Sequence, residues 1–278
     1  MTTALLKLEN ISYAYEDQPP ALQDVSVTIA SGERIAVIGG NGAGKSTFFL
    51  CCNGVLQPHQ GQIFLHGDEI RPKKKDLNRL RQHVGIVFQD PNQQLIGATV
   101  EEEISFGPMN LDLKPNEVAQ RVNNVITRMG LETLRERPPH YLSGGEKRRL
   151  SIADVLAMHP ELIILDEPTA FLDVKNRLLL EQSLNDLHLQ GKALMVATHD
   201  MDFAYRWATR VLVFHQGRLM ADNTPEAIFA DADLLKTVEV RLPMICELTP
   251  VLRGRGLLGD VQSVPKSLDA LIHLLDLP

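Results

Sequence analysis

Residues 34–47 read RIAVIGGNGAGKST, and this stretch constrains the fold more than any other in the chain. A short apolar run ends in glycines and passes directly into KSTFFLCC, whose pattern is helical. A buried strand that turns on glycines into a helix is a building unit of an α/β sheet with helices on its faces. The turn matches G-x-x-x-x-G-K-[ST], from Gly39 to Ser46. Glycines there let backbone N–H groups curl round an anion at a helix start. Asn41, Gly42, Ala43, Gly44 and Thr47 complete the cradle, Lys45 adds a point charge, and the Ser46 hydroxyl is suited to a divalent cation such as Mg2+. A glycine turn beside a solvated lysine is the alternative, and the strand before and helix after disfavour it.

The rest of the chain extends this unit. Residues 4–13 and 21–29 alternate apolar and polar residues as half-buried strands do, and 61–70 is a further strand with a glycine turn. A helix is expected over 45–56, and RLRQHVGIVFQD (79–90) closes on a strand ending at Gln89. From about 91 to 160 strand signals fade. PNEVAQRVNNVITRMGL places Val118, Val122, Val125, Ile126 and Met129 at helical spacing. Strand and helix then alternate again to about residue 222. One largely parallel sheet carrying a mostly helical insertion follows from this order. Beyond 222 the chain reads as short helices and loops, ending on an apolar stripe of Leu268, Leu271, Ile272 and Leu275.

Bulk properties narrow the function classes. A net charge of −7 over 278 residues argues against nucleic acid as the main partner. Three cysteines, two of them adjacent, are no disulfide framework, and Cys51 and Cys52 read as small apolar helix residues in a reducing compartment. No signal peptide is expected at the N-terminus, and no apolar run reaches the ~18–20 residues of a membrane helix. Such a protein spans nothing by itself, but it is free to dock on one that does.

Three further strand ends carry chemistry. LIILDEP (162–168) sets Asp166 and Glu167 at the carboxyl end of an apolar strand, where the ligand crevice of an α/β sheet lies. Asp166 suits Mg2+, directly or through water, and Glu167 suits a general base for an attacking water. VATHD ends in His199, which follows the next strand and so reaches toward the same phosphate; VFQD supplies Gln89, as Mg2+ ligand or water-orienting group. LSGGE (142–146), followed by KRRL, is a second glycine anion seat opening a helix, and alone it is a weak signal.

In this order the elements resemble an ATP-binding cassette over roughly residues 4–222. The resemblance implies an α/β P-loop NTPase fold: a RecA-like core with an antiparallel β subdomain, a helical subdomain at about 91–160, and a small, mostly helical extension over 223–278. It implies ATP with Mg2+ on Gly39–Thr47, with Ser46, Gln89 and Asp166 as the metal's ligands, Glu167 as catalytic base, His199 as switch histidine and Gln89 in the Q-loop. It implies a signature at Ser143, Gly144 and Gly145 that covers the partner subunit's γ-phosphate, and a D-loop at Leu172-Asp173, with Asp173 near nucleotide. Tyr15 stands where the family's adenine-stacking aromatic lies, the alternative being a core tyrosine. Lys147, Arg148 and Arg149 either tighten the anion seat or are solvated.

Such cassettes work as sandwich dimers, so a homodimer, or a heterodimer with a paralogous ATPase, is implied. The stretches at 88–111 and 218–243 resemble the ATP-binding subunit of energy-coupling-factor importers, cobalt/nickel type. That implies ATP hydrolysis driving import through integral membrane coupling and substrate-binding subunits. The protein would then lie peripherally on the cytoplasmic face of the cell membrane, docking through its helical insertion. A vitamin importer of the same kind, or a soluble cassette acting on nucleic acid or ribosomes, are the alternatives. Glu146, Asp154 and Phe171 depart from the group's usual glutamine, small residue and glycine. The C-terminal stripe suggests a dimerisation segment.

Overall fold

The computed structural model describes residues 4–111, 113–170, 172–258 and 264–275; Phe171, one of the sequence's departures, lies outside them. The strands are β1 (Ala4–Ala14), β2 (Pro20–Ala30), β3 (Arg34–Ile38), β4 (Gln60–Leu65), β5 (Asp68–Glu69), β6 (Val84–Val87), β7 (Leu162–Asp166), β8 (Ala193–Ala197), β9 (Arg210–His215) and β10 (Arg218–Asn223). The helices are α1 (Lys45–Cys52), α2 (Lys74–His83), α3 (Val100–Met109), α4 (Pro115–Met129), α5 (Gly144–Ala157), α6 (Val174–Leu189), α7 (Met201–Trp207), α8 (Pro225–Ala230), α9 (Ala232–Thr237), α10 (Met244–Gly254) and α11 (Leu268–Leu275).

The strands without polar alternation occupy the centre. β7 and β8 are buried along their whole length and β3 along all but its first residue, as expected of parallel strands covered on both faces. They belong to a sheet of order β10-β9-β3-β8-β7-β6. Neighbours from β9 to β6 run parallel, and β10 returns antiparallel to β9. The alternating strands form a second, antiparallel sheet of order β2-β1-β4-β5. α1 lies between the sheets: Phe48, Phe49, Cys51 and Cys52 pack in one apolar cluster with Leu6 and Ile11 of the second sheet and Val37 and Ile164 of the first. Both helix cysteines are fully buried, and burial pushes the Cys51 thiol up to about 12, which leaves it an inert apolar group.

The insertion is helical as its periodicity predicts. α3, α4 and α5 pack on one another, and Val122, Val125, Ile126 and Met129 form α4's buried face. The C-terminal helices share the core's second apolar cluster through Ile228, Phe229, Ile245 and Leu271.

Three expectations change. The helix after the glycine loop ends at Cys52 rather than 56, because Gly54 takes a left-handed φ of 72° and the chain closes on Leu50 with bonds from the N–H groups of Val55 and Leu56. β6 stops at Val87, so Gln89 stands in the following loop, where Asp90 caps a short turn through the Asn92 N–H. The C-terminal stripe splits. Leu271 is buried, whereas Leu268, Ile272 and Leu275 are 56%, 44% and 41% exposed, because only the line through Leu271 and Leu274 meets the core.

Candidate active site

β3 delivers the glycine loop to the carboxyl end of the sheet. Two of its glycines are required by close approach. A Cβ on Gly39 would lie 2.2 Å from the Phe214 carbonyl oxygen, and one on Gly44 2.6 Å from that of Ala21; both residues have positive φ. Gly44 caps α1 without a side-chain bond, which leaves the helix's first N–H groups directed at the cleft. Lys45 Nζ donates to the carbonyls of Gly39 (2.8 Å) and Gly40 (3.0 Å), fixing the ammonium along the loop. Burial lowers its pKa, while the charges of Glu167 and Asp166 act in the opposite direction.

Parallel pairing brings β7 and β8 alongside. The Ser46 hydroxyl donates to Asp166 Oδ2 at 2.6 Å, joining α1 to the end of β7. Glu167 then turns with φ of 45°, a left-handed backbone that costs a non-glycine residue on the order of 1 kcal/mol. The turn is held by the Glu167 N–H donating to Ala197 (3.1 Å) and by Glu167 Oε2 accepting from the His199 N–H (3.3 Å). Glu167 Oε1 is buried without a hydrogen-bond partner and lies 3.4 Å from His199 Nε2. Burial raises the Glu167 pKa against the opposing charges of His199 and Lys45. A carboxylate with raised pKa and one unsatisfied oxygen is equipped to take a proton from a water.

These groups line one open cleft of about 620 Å³. Its wall includes Tyr15, the loop from Asn41 to Thr47, Gln89, Asp166, Glu167 and His199. Tyr15 is 37% exposed, so it is no core tyrosine. Its hydroxyl lies 3.3 Å from Thr47 Oγ1, and its ring meets Tyr13 edge-on at 5.0 Å. An aromatic face is thereby held at the mouth of a phosphate cradle, a geometry suited to a purine.

Ser143, Gly144, Gly145 and Asp173 do not line this cleft. They lie together elsewhere. Ser143 caps α5 in a capping box: its Oγ accepts from the Glu146 N–H at 3.4 Å, and Glu146 Oε2 accepts from the Ser143 N–H at 2.7 Å. Glu146 is therefore a helix-start residue, its pKa lowered first by that backbone bond. A Cβ on Gly145 would sit 3.0 Å from the Asn176 side chain, and Asn176 donates its N–H to Asp173, the cap of α6. The space beside Gly144 is open.

Two residues that join α5 to the Gln89 loop were not legible as such. Arg148, one of three consecutive basic residues, is buried and donates to the carbonyls of Phe88 (2.7 Å) and Gln89 (2.5 Å), tying α5 to the Gln89 loop. Asp154 accepts from Gln94 Nε2 at 3.0 Å in the same joint, and Gln94 Oε1 accepts from the Phe88 N–H. Lys147 contacts Asn92 and remains at the surface. Nothing in a basic triplet marks which member faces inward.

The family model described as "ABC transporter" matches residues 22–170. The chain is 42% identical, over 98% of its length and 68% of the relative's, to the energy-coupling factor transporter ATP-binding protein EcfA2 of Methanospirillum hungatei. It is 43% identical, over 98% of its length and 88% of the relative's, to EcfA of Methanothermobacter thermautotrophicus. Among solved structures it resembles cbiO1 of Clostridium perfringens, part of the ABC transporter complex cbiONQ, at 39% identity and TM-score 0.74, covering 89% of this chain and 99% of that one. It also resembles a dimeric ATP-binding cassette in a post-hydrolysis state bound to ADP and Pi, at 28% identity and TM-score 0.71, covering 80% and 99%.

Proposed function

The chain belongs to the ABC transporter family as an ATP-hydrolysing cassette of the energy-coupling-factor kind, and from that premise we propose that it powers an importer for cobalt or nickel ions by ATP-driven closure of a dimer. The observation that carries the dimer is the separation of the two anion seats: the phosphate cradle, Asp166 and Glu167 line one cleft, and Ser143–Gly145 with Asp173 stand outside it. Two copies, or one copy and a paralogue, would set the signature of each over the cleft of the other. The γ-phosphate then joins the subunits, and its hydrolysis separates them.

In each composite site the loop N–H groups and Lys45 bind the phosphates, and Tyr15 stacks on the adenine. Glu167 takes the proton of the attacking water, with His199 holding its carboxylate and reaching the γ-phosphate. Ser46, Asp166 and Gln89 offer only oxygen donors, the hard ligand set Mg2+ prefers, and the 2.6 Å bond already brings two of them together. Bound there with the nucleotide, Mg2+ would supply charge neutralisation on the phosphate oxygens.

The cassette is residues 1–222, with its helical subdomain at about 91–160, and 223–278 forms an extension. No helix among the described residues is long and apolar enough to cross a membrane. On this proposal the protein acts peripherally, from the cytoplasmic face, on separate membrane coupling and substrate-binding subunits, as the names of its energy-coupling-factor relatives suggest. Ile96, after the Gln89 loop, and Phe106 and Met109, on α3, are 75%, 58% and 68% exposed, which supports docking through the helical insertion. Exposed Leu268, Ile272 and Leu275 support a second dimer contact in the extension; persistence of a nucleotide-free dimer after truncation near residue 225 would remove that role.

The test is co-expression with candidate membrane subunits, reconstitution in vesicles, and measurement of ATPase activity and of cobalt, nickel and vitamin uptake. Stimulation by the membrane partners with uptake of cobalt or nickel is expected. Vitamin uptake alone would replace the cargo, and stimulation by RNA or DNA without membrane partners would end the importer reading.

A further inference from the structure

At the far end of the same sheet three metal-ligating side chains converge. His66 occupies the β4–β5 turn, His83 ends α2, and Glu161 immediately precedes β7. His66 Nε2, His83 Nδ1 and a Glu161 carboxylate oxygen all lie within 4.8 Å of one another. Both imidazoles address the same oxygen, Oε1, at 3.2 Å and 2.5 Å. We propose that His66, His83 and Glu161 form a binding site for one divalent transition-metal ion of the Zn2+, Co2+ or Ni2+ class, distinct from the nucleotide's Mg2+.

Backbone bonds hold each ligand in place without help from the side-chain contacts. The Glu161 N–H donates to the His83 carbonyl (2.9 Å), and the Glu161 carbonyl accepts from Ala193 (2.9 Å). The parallel pairing of Val84 with Leu162 sets His83 and Glu161 side by side. The His66 N–H donates to Leu5 (2.9 Å), and its φ of 53° places it in the left-handed half of the hairpin turn. Three rigid elements thus aim their donors at one point, the arrangement that preorganises a metal site.

The donor chemistry is selective. Two imidazoles and one carboxylate are borderline ligands suited to Zn2+, Co2+ and Ni2+, whereas Mg2+ prefers oxygen alone. Tetrahedral bonds of about 2.0–2.1 Å separate neighbouring donors by roughly 3.3 Å. The His66–Glu161 distance of 3.2 Å already fits, and the His83–Glu161 distance of 2.5 Å needs only a small side-chain rotation. The side chains are 39%, 34% and 40% exposed, so water can reach the fourth position and an ion has a path of entry. A surface contact of such exposure contributes little stability by itself, a weak reason to gather two imidazoles on one oxygen. Glu161 and Asp166 stand at opposite ends of β7, roughly 16 Å apart along a strand, so one ion cannot serve both places. An ion here would tie the second sheet's hairpin to the core sheet, away from the nucleotide.

The experiment uses the full chain, nucleotide-free, with excess Mg2+ to occupy oxygen-donor sites. Zn2+ is titrated against a competing chromophoric chelator, and Co2+ is followed by its visible ligand-field absorption. One tightly bound equivalent is expected, with an imidazole–carboxylate Co2+ spectrum and no intense thiolate band. His66→Asn, which suits the left-handed backbone, and His83→Gln should each weaken binding by at least the ~10–100-fold that even a lost outer-shell partner costs. His140→Ala, outside the cluster, should change nothing. Mg2+-dependent ATPase activity at the wild-type rate, measured without transition metal, confirms that the variants fold. No bound equivalent in the wild type, or wild-type affinity in both His66→Asn and His83→Gln, would overturn the proposal.

Discussion

Asp154 offers a quantitative test of the joint between α5 and the Gln89 loop. Burial pushes its carboxyl up to about 7, against the hydrogen bond from Gln94 and with the charge of Glu103 adding to the rise. In the unfolded chain the same group ionises near ~3.9. Between about pH 4 and pH 7 the folded chain therefore holds a proton that the unfolded chain has released, so its contribution to stability falls as pH rises through that window and stays low above it. At about 1.4 kcal/mol per pKa unit, the rise from 3.8 to about 7 amounts to a cost on the order of 4 kcal/mol at alkaline pH. Asp154→Asn removes the ionisation, and its amide oxygen can still accept from Gln94. The variant should be more stable than wild type by roughly 2–4 kcal/mol at pH 8, with the gap shrinking as pH falls toward 4. Urea-unfolding midpoints at pH 5 and pH 8, at matched slopes, measure this directly. A wild-type-to-variant difference that is the same at both pH values would refute the reasoning.

Glu167→Gln should slow ATP hydrolysis by ~10²–10⁴-fold while leaving ATP binding intact, so that closed dimers accumulate on size-exclusion chromatography; turnover near wild type would strip Glu167 of the base role. Tyr15→Ala should weaken ATP binding by about 1–3 kcal/mol, the worth of one base–aromatic stack, and Tyr15→Phe should retain most of it, as read with a fluorescent nucleotide. Arg148→Met removes two charge-assisted bonds to the Phe88 and Gln89 carbonyls. It should lower unfolding stability by ~2–4 kcal/mol and speed amide exchange over residues 88–94, and unchanged exchange there would show that the loop is held by something else.

Local pattern made the active-site elements legible. β3, β7 and β8 are short apolar runs that read as buried strands, and each ends in the polar residues that meet at the cleft, because parallel strands deliver their carboxyl ends to one edge of the sheet. The glycine loop and its helix followed from the same logic. The sequence by itself determined these elements, their order and the donor types at their ends, since periodicity and turn chemistry act over a few residues. Tertiary structure alone decided which charges face inward and which apolar residues stay out. Arg148 is buried between Lys147 and Arg149 because its position on α5 points at the Phe88 and Gln89 carbonyls, whereas Lys147 meets the loop farther out, at Asn92. Leu271 is covered while Leu268, Ile272 and Leu275 are not, because one line of α11 meets the core. His66, His83 and Glu161, up to 95 residues apart, meet only where a hairpin turn, a helix end and a strand start converge. Such encounters depend on long-range packing, and no spacing in the chain records them.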